Sequence, residues 1–130
     1  MLVLFVGLFI MTTGVRSSGL VEASFGAAAS STAVLMALSV LGSQVVSNVP
    51  LVAIALPFVE PHGTAALMAL AAGSTIAGHL TLLGAASNLI VIESAGRLGV
   101  TVRTRAFMAI GLVLVLVQGL CYWSWLVLLG

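Results

Sequence analysis

Residues 42 to 61, GSQVVSNVPLVAIALPFVEP, restrict the fold of this chain more than any other stretch. They place Ser43, Ser47 and Asn48 between a glycine and a proline, and Pro57 follows seven residues after Pro50. Pro50 fits the first turn of a helix, where its missing N–H costs nothing, with Ser47 or Asn48 as its cap and Gly42 closing the helix before it. From Pro50 to Phe58 such a helix is about 14 Å long, roughly half of a ~30 Å hydrocarbon core. It cannot span a bilayer alone.

A bilayer is the relevant solvent because 62% of the residues are hydrophobic, 5% are charged and the mean hydropathy is +1.33. Soluble domains do not have this composition. Four basic and three acidic side chains leave a net charge of +1, too little for a nucleic-acid footprint. Cys121 stands alone and has no partner in the chain for a disulfide. No H-E-x-x-H motif and no nucleophile-base spacing occurs, so the chain does not read as an enzyme.

Unwound backbone at membrane depth must line a cavity or be covered by protein. The simplest arrangement is therefore a re-entrant hairpin over residues 24–58, with its tip at 42–49 and its exit at VEPHG, residues 59–63. The rival arrangement makes 33–58 one broken spanning helix and puts Glu22 and Glu60 on opposite sides. Ahead of the hairpin, residues 2–15 read as a membrane helix rather than a signal peptide, since no positively charged region precedes the apolar run. The segment VRSSGLVE that follows reads as an interfacial turn or short surface helix.

Residues 64–98 read as a second broken helix, interrupted at 84–88, where Gly84 ends one half and Ser87 or Asn88 caps the next. A final helix over 106–129 is long enough to cross, with Tyr122, Trp123 and Trp125 near its far end as interfacial aromatics. Arg97, Arg103 and Arg105 place the loop 96–105 in the cytoplasm and the C-terminus outside, at the expense of Arg16, which is left outside.

Both interruptions carry the dipeptide Ser-Asn, at Ser47-Asn48 and at Ser87-Asn88. Broken helices meeting at the midplane offer carbonyl-rich ends to a hard cation and N-termini to an anion. Ser43 and Ser47, four apart, face one way on a helical turn. The alternative is that these groups only bond across helices or satisfy backbone at a kink. His79, inside the membrane, and Glu93, four residues before Arg97, are candidates for proton coupling; each also has a purely structural reading, a cross-helix hydrogen bond and an ion pair respectively.

SQVVSNVPLVAIALPF and AGSTIAGHLTLLGAASNLIVIE resemble the second half of the anion permeases of the ion transporter superfamily, the group of arsenite permease-like, citrate transporter-like and divalent anion:sodium symporter proteins. The resemblance implies an all-α integral membrane protein, one inverted-repeat half with a re-entrant hairpin and a discontinuous transmembrane helix. It implies secondary active transport of an anion, coupled to Na+ or H+, by an elevator-type mechanism. Ser43, Ser47 and Asn48, with carbonyls around Ala85 and Ala86, would form the cation site; Ser47, Asn48, Val49, Ser87 and Asn88 would face the anion. Val49 stands where the dicarboxylate branch has threonine, and Ser47 where the sodium/proton antiporters have an acidic residue, so the arsenite permease-like type fits best. No cofactor is implied beyond Na+ as coupling ion. The implied partners are the bilayer, a small anion, an N-terminal repeat or partner chain that supplies the other half, and a second copy in a homodimer. The implied location is a bacterial or archaeal plasma membrane. The alternatives are a sodium/proton antiporter of the same superfamily and a non-transporting membrane subunit or truncated gene product.

Overall fold

The computed structural model describes residues 2–82 and 84–129. The described residues are overwhelmingly helical, and there is no strand among them. The α-helices are α1 (Leu2–Ser17), α2 (Leu20–Ala28), α3 (Thr32–Val46), α4 (Asn48–Val59), α5 (Thr64–Ile76), α6 (Ala86–Arg97) and α7 (Thr104–Leu129). Single 3-10 turns at Glu60–His62 and Ala77–His79 follow α4 and α5. Leu83, within the expected broken helix, and Met1 and Gly130 lie outside the described residues.

The short apolar start continues as helix to Ser17, and VRSSGLVE spans the end of α1, a turn at Ser18 and Gly19 (φ 70°) and the start of α2. The Ser17 and Ser18 hydroxyls donate back to the Gly14 and Val15 carbonyls at 2.9 and 2.6 Å, which satisfies the end of α1. The stretch expected to begin the hairpin at residue 24 divides instead into α2 and α3. Hydroxyls at residues 30–32 offer the backbone alternatives to helix: Ser30 Oγ donates to the Ala27 carbonyl at 3.2 Å, and Ser31 is extended at φ −130°, ψ 113°.

Gly42 does not end its helix, contrary to expectation: α3 runs through it to Val46 and breaks only at Ser47. The reason lies in packing. A Cβ on Gly42 would meet Leu51 Cδ1 of α4 at 3.0 Å, so the absent side chain lets α4 fold back against α3. α4 then continues through Pro57 to Val59, although that residue provides no N–H for the ladder.

α3 and α5 form the closest pair in the core. A Cβ on Gly73 would lie 2.6 Å from the Met36 carbonyl oxygen and 2.8 Å from Ser39 Cβ. Leu35, Ala55, Val59, Ala69 and Leu70, all nearly inaccessible, fill the space between α3, α4 and α5. Gly111 of α7 sits on the His79 carbonyl oxygen, which anchors the last helix beside the end of α5. α6 buries no residue.

Among the described residues, one helix is long and apolar enough to cross a membrane: Thr104–Leu128, with mean hydropathy 2.0 over a window only 6% buried.

Candidate functional site

The break between α3 and α4 is a single residue. Ser47 has φ 69° and ψ 162°, the one positive φ outside glycine among the described residues. That region is nearly reserved for glycine and costs of order 1–3 kcal/mol for other residues. Ser47 caps α4 by position but makes no side-chain cap hydrogen bond, and Asn48 Oδ1 instead accepts from the Val49 N–H at 2.8 Å.

Ser47 is buried at 5% exposure and Ser43, one turn earlier, at 0%. Ser43 Oγ is the one buried side-chain oxygen or nitrogen without a hydrogen-bond partner among the described residues. Leaving such a group unpaired costs about 1–3 kcal/mol. Ser39, another turn back, avoids this by donating to the Leu35 carbonyl at 2.7 Å. Asn48 and Val49 line a cavity of about 410 Å³ with Ser74 and Thr75 of α5.

The second break lies earlier than the sequence indicated. Helix ends at His79, the backbone is irregular at residues 80–82 and 84–85, and α6 restarts at Ala86 ahead of the Ser87-Asn88 pair. Neither Ser87 nor Asn88 caps α6; the cap position belongs to Ala85, with no side-chain bond. Asn88 reaches back instead, and its Nδ2 donates to the Gly78 carbonyl at 2.6 Å and the Thr81 carbonyl at 3.2 Å. The Ala85 carbonyl accepts the Asn88 N–H at 3.1 Å, and Ala86 begins the helix.

The connection between the two breaks comes from a residue that the sequence reading passed over. Gln44 Nε2 donates to the Val40 carbonyl at 2.9 Å within its own helix and to the Ala77 carbonyl at 3.1 Å. Its Oε1 accepts the Thr81 hydroxyl at 2.5 Å, and Thr81 Oγ1 in turn accepts the Gly84 N–H at 3.2 Å. A Cβ on Gly84 would collide with the Ala77 carbonyl and approach Gln44 Oε1 at 3.1 Å, so the loop closes this tightly only over a glycine. A signal for Gln44 existed: an amide between two serines on one polar turn of an apolar helix. No hydrogen bond joins the two Ser-Asn pairs directly among the described residues.

His79 is exposed beside α7, in a cleft of about 560 Å³ that Thr75, Gln118, Tyr122 and Trp125 also line. Glu93 Oε1 accepts from Arg97 Nη2 at 2.7 Å, an exposed pair one turn apart. Surface pairs of this kind contribute little to stability. The structure does not bring His79 and Glu93 together by any hydrogen bond.

No group of three or more His, Cys, Asp or Glu side chains is arranged to hold a metal among the described residues. The oxygens near the first break are of another kind, the buried hydroxyls of Ser43 and Ser47, and oxygen ligands of this sort suit a hard monovalent cation. The partnerless Ser43 oxygen fits such an ion.

No protein-family profile and no solved structure matches the chain. It is similar to a silicon efflux transporter of Oryza sativa subsp. japonica, 36% identical over 113 residues, an alignment that takes in 75% of this chain. The chain spans 23% of that transporter's length. That likeness and an apolar helix of spanning length together indicate a membrane location.

Proposed function

We propose that this chain is part of a secondary active transporter that moves a small anion across the membrane, coupled to Na+ or H+, by elevator-type alternating access. The observation that carries the reading is the pair of helix interruptions tied together through Gln44, with the partnerless, fully buried Ser43 hydroxyl one turn from the first break. Paired discontinuous segments are the strongest sequence pointer to a transporter site.

In this reading α3 and α4 form a re-entrant hairpin whose tip is Ser47, and α5 and α6 are the halves of a discontinuous helix. Ser43 and Ser47 would hold the cation, with the Asn48 side chain and carbonyls near Ala85 and Ala86 completing the shell. The N-terminal ends of α4 and α6, with Asn48, Val49, Ser87 and Asn88, would face the anion, because orphan N–H groups at a helix start attract negative charge. His79 and Glu93 stand as candidates for the proton-coupled variant. Sequence outside this stretch, or a partner chain, would supply the opposing repeat, and the whole would be a homodimer.

The test is Asn48→Ala in membranes of cells that express the protein. Ion-dependent anion uptake is expected to disappear while the inserted amount stays the same; unchanged uptake would sink the site assignment. The similarity to a silicon efflux transporter favours a second reading, in which the same site exports silicon. Release of silicic acid, uncharged at pH 7, from loaded oriented vesicles supports the second reading; sodium- or proton-driven uptake of arsenate, charged at pH 7, without such release supports the first.

A further inference from the structure

We infer that Gln44 is a positioning residue that locks the second interruption onto the end of α3, so that both breaks keep one geometry. The inference rests on the transport reading for its function and on the hydrogen bonds for its structure. Gln44 spends both ends of its amide on this link. The Nε2 donor holds the Ala77 carbonyl, which already accepts the Leu80 N–H at the end of α5, and the Oε1 acceptor holds the Thr81 hydroxyl. These contacts join residues 33 and 37 positions apart. From Thr81 the chain of bonds passes to the Gly84 N–H, and Asn88 closes it from the far side on the Gly78 and Thr81 carbonyls.

The loop has little else to hold it. α6 buries no residue, so packing does not fix its entry angle. Gln44 is the acceptor for the Thr81 hydroxyl proton and a second donor to the Ala77 carbonyl, and a hydroxyl proton left without an acceptor in an apolar surrounding is costly. An amide suits the place because it donates and accepts at once, whereas a carboxylate would face two carbonyl oxygens with no proton to offer. Neither the tip serines nor the Ser87-Asn88 pair makes this connection. Gln44 thereby sets where the start of α6 lies relative to Ser43 and Ser47 without itself having to touch the transported ions.

Hydrogen exchange of amides 80–88, read by mass spectrometry on the full chain in lipid nanodiscs, tests the link without any ligand. Gln44→Leu and Thr81→Val are each expected to speed exchange there about tenfold, the order expected for losing one net hydrogen bond, with α5 and α7 unchanged. The double variant is expected to exchange little faster than the faster single one, since both changes cut the same connection. Thr81→Ser keeps the hydroxyl and is expected to exchange at the wild-type rate. This threonine series reads the link from its other end should Gln44→Leu fail to insert. Exchange unchanged in the single variants, multiplied in the double one, or raised equally along α3, α5 and α7 overturns the inference. In uptake assays driven by sodium chloride, Thr81→Val is expected to raise the KM for sodium about tenfold at nearly constant kcat, and an unchanged KM beside a reduced kcat speaks against positioning. A wild type without uptake under either a sodium or a proton gradient overturns the transport reading alone, because exchange reports the link independently.

Discussion

Ser47 sits at φ 69° and ψ 162°, where glycine would be unstrained, and Ser43 keeps a hydroxyl buried without a partner. Both choices cost stability, and the proposed ion site would account for both. Ser47→Gly is expected to stabilise the protein by about 1 kcal/mol, the lower end of the strain at such a position, while transport falls with the lost hydroxyl; thermal unfolding in detergent, paired with uptake, checks it. Ser43→Ala is expected to leave the ion-free protein as stable or up to about 1 kcal/mol more stable and to erase any stabilisation by sodium chloride. A sodium-induced shift that survives Ser43→Ala removes this residue from the site. At this scale the sequence displayed the polar letters at 43, 47 and 48 that lie at the break. It did not display that the Ser43 oxygen would be orphaned, because that depends on which helices surround it. Nor could it show that Asn88 would turn backwards: local spacing made it a cap, and the freed carbonyls of the preceding break, visible only once folded, claimed its amide.

Helix α5 packs on α3 through Gly73, where an added methyl would stand 2.6 Å from the Met36 carbonyl oxygen. Backbone cannot yield as a flexible side chain can, so Gly73→Ala is expected to destabilise by about 1–3 kcal/mol, the usual cost of overpacking; denaturant titration in micelles measures it. α6 presents the opposite case. With no buried residue it is held by its first turn, and its amides are expected to exchange well before those of α5. The helices themselves were largely legible, since long apolar runs punctuated by glycine, proline and hydroxyls leave few alternatives in lipid. Their ends were less so. Gly42 reads as a terminator from the chain alone, yet it serves as a contact with Leu51, and only the partner helix reveals the difference.

The accessible surface of the molecule is 7827 Å², against ~6,400 Å² for a soluble monomer of this mass. Much of the excess is apolar, with Leu112, Val113, Leu116, Val117 and Leu120 exposed along α7. Lipid or other protein is the cover this surface requires. The exposed Arg97, Arg103 and Arg105 are expected to face the cytoplasm: trypsin should cut there in inside-out vesicles and spare the same bonds in right-side-out ones, and the reverse pattern inverts the topology. By itself the sequence determined the solvent, the helical class and the two polar interruptions, because composition and local spacing act through nearest neighbours along the chain. The tertiary structure alone decided that the interruptions are joined and that Gln44 and Thr81 join them. Those partners are 37 positions apart, and no local rule of helix or turn reaches across that separation.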